Sequence, residues 1–486
     1  MGLVFIDEPS SFVMVKRMKF THNLIIASLV FLVSVALCAE QKPLVIVIPS
    51  YNNSDWYRKN LDSVFAQEYD NYRIIYIDDC SIDGTYELVR DYIVEHGQEE
   101  RVTLIKNDTR KGALANHYRA AHLCENYEII VNLDGDDWFA HEHVLTRINC
   151  AYQNPDVWLT YGQYETDPVD KPGVCRAMPA MVVRNNAYRE YEWITSAVRT
   201  FYAGLFKQIR LDELLYEGQF YKTTGDMAFM FPMLEMSAGK IEFIPDILYI
   251  YNCNTPENDF KKRVLAQLHL NNVIRAQKKR ESLTSTPYAM QKSALKKSQK
   301  VLVLVVSENN PVGLQRLLDS IQEFLIGDYQ VSVIYNRHDE QIKPEIMRVL
   351  SDLPADYVLC SDDRRYLVHQ VNLANCVQTL EKTGAHGVFL GLGRDSMSNS
   401  VLIDEQQVPV LIDMGNSLCA WQFCMGEYAW RKPYSFCMNL YRVADVMKSL
   451  ERLNFHTIAE LNASWSDGIF DLKRVGICYE NVAARE

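Results

Sequence analysis

From residue 43 onward, short apolar runs alternate with helix-length amphipathic stretches, and most of the runs end in a polar motif. Residues 44–48, 72–77, 102–105 and 129–133 read as strands. Residues 54–67, 85–95 and 113–124 read as helices, the first with Leu61, Val64 and Phe65 on one face. Strands separated by helices of ten or more residues predict a mostly parallel α/β sheet flanked by helices. Ligands of such sheets sit outside the carboxyl ends of the strands. The polar motifs fall there: Ser50-Tyr51-Asn52, Asp78-Asp79, Asn107-Asp108 and the run Asp134-Gly135-Asp136-Asp137.

The last of these constrains the chemistry. Asp134, Asp136 and Asp137 lie within four positions, directly after an apolar strand. Massed negative charge at the end of a buried strand repels itself and is costly to desolvate. A cation would neutralise it, and hard oxygen ligands suit Mg²⁺ or Mn²⁺, ions that commonly grip phosphates. His141 and His143 follow closely and read as the exposed start of the next helix.

A second alternation begins at residue 301. Strands are predicted at 301–306, 330–335, 357–360 and 387–390, and helices at 311–325 and 344–353. The rhythm echoes the first half and predicts an internal duplication. Tyr335-Asn336 is read as the counterpart of Asp78-Asp79, and the run from Gly391 to Asp395 as the counterpart of the acidic tetrad. On that reading the second copy lacks the tetrad, and chemistry belongs to the first. Between the copies, residues 275–300 are basic and polar, with Lys278, Lys279, Arg280, Lys292, Lys296 and Lys297. The expected organisation is a leader at 1–42, a catalytic domain at 43–274, a linker at 275–300 and a degenerate second domain at 301–486.

Composition excludes some classes. Apolar residues make up 48% of the 486 and charged residues 23%, which is globular material. A net charge of −12 argues against nucleic acid as a partner. The twelve cysteines include no C-x-x-C pair, so a zinc site is not expected. Near the N-terminus, Lys16, Arg17 and Lys19 precede an apolar run at 24–39 that closes on small residues. That pattern predicts a signal peptide or a short signal-anchor, and hence an exported or membrane-associated protein. A cytosol-facing membrane position is the alternative. The sequons at Asn52 and Asn107 fall inside the expected site and give no support to a lumenal location.

Three motifs in order, Pro49-Ser50-Tyr51-Asn52, then Asp78-Asp79-Cys80-Ser81-Ile82-Asp83-Gly84-Thr85, then Asp134-Gly135-Asp136-Asp137-Trp138, resemble those of family 2 glycosyltransferases. The resemblance covers about residues 43–255, and the second copy only in outline. It implies the GT-A fold, a nucleotide-sugar donor (UDP- or GDP-sugar), Mn²⁺ or Mg²⁺, and transfer to a hydroxyl of a glycan, lipid or protein acceptor. It assigns Pro49, Tyr51, Asp79, Lys111 and Asp134 to the donor, with Tyr51 against the base and Asp79 accepting from a base N–H. It assigns Asp134, Asp136 and Asp137 to the metal. Inverting transfer needs a base for the acceptor hydroxyl. Family members carry it in a Glu-Asp pair, here Gly225-Asp226, so Asp226 takes that role. Trp193 is a candidate acceptor platform. A metal-binding side chain found late in such domains has no histidine here, and Tyr251-Asn252-Cys253-Asn254 occupies its neighbourhood. Two rivals remain at this point. A sugar-binding scaffold of transferase ancestry is opposed by the intact carboxylates. A nucleotidyltransferase would need a glycine-rich basic loop after the first strand, which Pro49 to Asn53 does not supply.

Overall fold

The computed structural model describes residues 40–169, 171–255, 264–288, 300–336, 342–394, 408–432, 435–465 and 471–485. Residues 1–39 of the predicted leader, with its apolar run at 24–39, and part of the linker therefore lie outside the described residues. Among the described residues, no helix is long and apolar enough to cross a membrane.

The first half builds β1 (Leu44–Ser50), α1 (Tyr57–Phe65), β2 (Tyr72–Asp78), α2 (Thr85–Glu95), β3 (Val102–Lys106), α3 (Ala113–His122) and β4 (Ile129–Asn132). It continues with β5 (Trp138–Phe139), α4 (Val144–Tyr152), β6 (Leu159–Asp167), β7 (Arg199–Tyr202), α5 (Gly225–Met236) and β8 (Ile241–Asn252), and α6 (Val264–Arg275) follows. The sheet order is β3-β2-β1-β4-β7-β6-β8-β5. The pairs β3–β2, β2–β1, β1–β4 and β6–β8 are parallel, and the three around β7 and β5 are antiparallel. Every residue of β1 is buried, as a central strand covered on both faces requires. This is the mostly parallel α/β sheet flanked by helices that the alternation predicts, with an antiparallel strand inserted beside β4.

The second half repeats it. Its elements are β9 (Val301–Ser307), α7 (Pro311–Phe324), β10 (Tyr329–Tyr335), α8 (Ile342–Asp352), β11 (Tyr357–Asp362), α9 (Leu373–Thr383), β12 (Val388–Phe389), β13 (Ile412–Gly415), β14 (Leu418–Gln422), β15 (Asn439–Arg442), α10 (Val443–Arg452) and β16 (Val475–Tyr479). The order β10-β9-β11-β15-β12-β16-β14 carries the same senses of pairing as β2-β1-β4-β7-β6-β8-β5. One detail recurs at atomic scale. The Asp79 N–H donates to the Ser50 carbonyl at 2.8 Å, and the Asn336 N–H to the Ser307 carbonyl at 2.9 Å.

Among the described residues the repeat has no counterpart of β3, and this corrects the sequence reading. β11 pairs with β9 as β4 pairs with β1, so Asp362-Asp363 stands where the first copy has its tetrad. The run from Gly391 follows β12, the counterpart of β6. The two second-copy carboxylates are spent on structure. Asp362 pairs with Arg365 at 3.0 Å. Asp363 Oδ2 accepts from the Ser307 hydroxyl and from the backbone N–H groups of Glu308 and Asn310, at 2.7–3.1 Å. One apolar core runs from Ile46 in the first sheet to Val303 and Leu380 in the second copy.

Candidate active site

The ends of β1, β2 and β4 open into a cleft of about 1190 Å³. Pro49, Tyr51, Asp79, Lys111, Asp134, Asp136 and Asp137 all line it. The fold thus brings the three strand-end motifs together. Two non-glycine residues beside the cleft, Asn52 and Cys80, hold left-handed φ values of 54° and 64°. Such conformations persist where the surroundings over-determine them. Here they do: the Asn52 N–H donates to Ser81 Oγ, Asn53 N–H to Thr85 Oγ1 and Ser54 N–H to Asp83. Ser81 and Asp83 therefore stitch the β1 and β2 loops to each other, and Gly84 turns the chain at φ 85°.

Asp79 is almost fully buried and its carboxylate organises the next loop. Oδ1 accepts from the Asn107 side chain and the Lys111 N–H, and Oδ2 from the Gly112 N–H, each at 2.8 Å. Those amides belong to the two residues before α3, so the carboxylate fixes the loop that leads into the helix. The Lys111 side chain is left to the cleft. Tyr51 carries the Arg110 guanidinium over its ring at 3.6 Å. A base stacking on that face of Tyr51 displaces Arg110.

The three tetrad carboxylates part company. Asp137 is tied down: Oδ2 accepts from the Tyr249 hydroxyl at 2.5 Å and Oδ1 from the Asn252 N–H at 2.7 Å. The Asn252 side chain also donates to the Asp136 carbonyl, and Asn60 donates to the carbonyls of Asp134 and Asp137. Asn252, in the neighbourhood where a late metal ligand was sought, thus fastens the tetrad through its backbone and amide. Asp134 and Asp136 line the cleft beside Asp137 without those two tethers. Burial, then repulsion from Asp134, pushes Asp136 up to about 6. Burial raises Asp134 too, against the opposing charge of Arg199. Burial and both neighbours push Asp137 well above the ordinary range. Among the described residues, no three His, Cys, Asp or Glu side chains converge as a metal cage. Two hard, mutually repelling carboxylates facing a cleft fit a divalent ion that would take its other oxygens from substrate and water. His141 and His143 do not line the cleft. His143 lies near Glu68 and Glu142 on the surface.

Gly135 is required by close approach. A Cβ there meets Asn53 Nδ2 at 2.6 Å and Ser50 Cβ at 2.9 Å. Gly135→Ala is expected to push the tetrad away from β1, at about 1–3 kcal/mol of stability. Urea unfolding checks this, and nucleotide binding should weaken in parallel.

Asp226 lies in the first turn of α5 and is not among the residues that line the cleft. Thr224 before it is left-handed at φ 56°. The Asp226 carboxylate accepts from the Met227 N–H at 2.9 Å and lies 3.4 Å from the Arg199 guanidinium, with its side chain 30% exposed. Burial alone would lower Arg199, but the Asp226 charge and then the Asp134 charge outweigh it and raise it. Arg199 on β7 therefore joins Asp226 electrostatically to the tetrad. Sequence reasoning missed that link, since β7 enters beside β4 from 65 residues downstream of Asp134. Trp193 is half-buried with its ring edge-on to Phe231 at 5.4 Å, and it does not line the cleft. Its contacts are those of a core tryptophan, unlike the expected acceptor platform.

Residues 45–209 match the family model described as Glycosyl transferase family 2. Over that segment the chain is similar to glycosyltransferase family 2. Curated relatives agree with it. An uncharacterized glycosyltransferase of Haemophilus influenzae is 30% identical over 123 residues, 25% of this chain and 47% of that protein. The Escherichia coli UDP-Glc:alpha-D-GlcNAc-diphosphoundecaprenol beta-1,3-glucosyltransferase WfaP is 28% identical over 119 residues, 24% of this chain and 45% of that protein. The chain thus spans less than half the length of these relatives. Among solved structures, S. aureus TarS 1-349 in complex with UDP-GlcNAc aligns at 15% identity with a TM-score of 0.35, over 44% of this chain and 60% of that one. The family 2 match ends within the first half of the chain. The repeat from β9 onward is related to it here by strand order and pairing alone.

Proposed function

We propose that this chain is a glycosyltransferase that moves a sugar from a nucleoside diphosphate to an acceptor hydroxyl, with inversion, using residues 43–274. Residues 301–486 form a degenerate copy, joined through 275–300. The convergence of Tyr51, Asp79, Lys111, Asp134 and Asp136 on one cleft carries this reading. The donor is a UDP- or GDP-sugar, its base against Tyr51 beside the loop that Asp79 fixes. A divalent cation, Mn²⁺ or Mg²⁺, held by Asp134 and Asp136 would neutralise charge on the leaving diphosphate. Asp226 takes the proton of the acceptor hydroxyl as its oxygen bonds to the anomeric carbon. The bond to the diphosphate breaks, and its electron pair leaves with the nucleotide. Arg199 holds Asp226 in place and moderates the repulsion around Asp134. The acceptor is a glycan, free or carried on lipid or protein, and the leader at 24–39 brings the enzyme to a membrane or the export route.

Thermal-shift screening with UDP, GDP and CDP in Mn²⁺ tests the assignment. At least one nucleotide should stabilise the wild type and not Asp136→Asn. Equal stabilisation of both proteins would overturn the metal–donor site.

A further inference from the structure

The cleft does not end on the first sheet. Its far wall comes from the second copy: residues 410–415, which include β13, and Lys382 at the end of α9. Helix α3 faces this wall with Tyr118, Arg119 and His122. The two copies are fastened here. The Tyr118 hydroxyl donates to the Lys382 carbonyl at 3.2 Å, and its ring lies 5.5 Å from the Lys382 ammonium. Nearby, the Gly218 N–H donates to the Gln422 side chain at 3.2 Å.

This end of the cleft is positive. Arg119 is exposed, and its guanidinium donates to Asn107 Oδ1 at 2.9 Å, a neutral partner. Lys382 is half-buried. Among the described residues, neither cation has a carboxylate within ion-pairing distance. Burial pushes the Lys382 ammonium down, Arg119 and Lys207 push it further, and only Asp413 on β13 pulls it back. Two cations from different copies thus line one cleft and repel one another, with no carboxylate paired to either among the described residues. Asn107 stands between Arg119 and Asp79, since its amide donates in turn to Asp79.

We propose that Arg119 and Lys382 form an oxyanion subsite at the junction of the two copies, for a phosphate group carried by a ligand other than the donor. On the transferase reading above, that ligand is the acceptor, and the second copy's role is to complete its site. A phosphate oxygen set suits a guanidinium and an ammonium held on opposite walls.

The test is calorimetric titration of the full chain with inorganic pyrophosphate in EDTA, where the paired carboxylates Asp134 and Asp136 repel the probe. The wild type should bind. Arg119→Gln and Lys382→Gln should each weaken binding by about tenfold. Asp413→Asn, which removes the opposing charge, should tighten it about threefold, a gain that misfolding does not produce. No binding by the wild type, or equal binding by wild type and both glutamine variants, would overturn the subsite. Failure of the donor reading shows separately, in the nucleotide screen with Mn²⁺, and leaves this titration unchanged.

Discussion

Asp136→Asn is expected to lower sugar transfer by about 10²–10³ while making the protein more stable in the absence of divalent ions. Both halves follow from one fact. Burial and the Asp134 charge raise the Asp136 carboxyl from 3.8 to about 6. The folded state therefore holds that proton more tightly than the unfolded chain does. Stability from this group is present below about pH 4, declines as pH rises toward 6, and is absent above it. The penalty at neutral pH is about 3 kcal/mol. Asparagine removes it, and calorimetry at pH 7.5 in EDTA should show the melting temperature rise by a few degrees. On the proposed reading the same carboxylate holds the cation, so cation-dependent nucleotide binding should fall as pH drops through 6.

Asp226→Asn is expected to cut turnover by about 10²–10⁴ with little change in donor KM. The amide oxygen still accepts from the Met227 N–H, so α5 keeps its first turn. On the proposed mechanism, what is lost is the group that takes the acceptor proton. The split matters because a purely structural role for Asp226 would move stability and both kinetic constants together. Steady-state kinetics with donor varied at fixed acceptor, beside a urea unfolding curve, separates the two.

The alternation of strands and helices was legible because β1, β2 and β4 are short apolar runs buried on both faces, which leaves little ambiguity of period. The site was legible as far as it is local: strand-end motifs meet because parallel strands end on one edge. Its division of labour was not legible. Asp137 differs from Asp136 only because Tyr249 and Asn252 arrive from β8 to claim it. Asp79 spends its oxygens on a loop whose amides look unremarkable in sequence. Arg199 is a lone arginine until β7 pairs with β4. In the second copy, counting strands in sequence order assigned the tetrad's place to residues 391–395, because nothing marks the lack of a third-strand counterpart among the described residues. Only the pairing of β11 with β9 shows Asp362-Asp363 there, with Arg364 and Arg365 beside them. The junction of Arg119 with Lys382 joins positions 263 residues apart and has no local signature.

The central claim is that Asp134 and Asp136 make the first copy a nucleotide-sugar enzyme. Release of nucleotide from UDP- and GDP-sugars by the full chain, with and without Mn²⁺, in wild type and Asp136→Asn, tests it most directly. The account predicts Mn²⁺-stimulated release from at least one donor by the wild type, and its loss in the variant. No release from any donor by folded wild-type protein, or equal release by the variant, would contradict it.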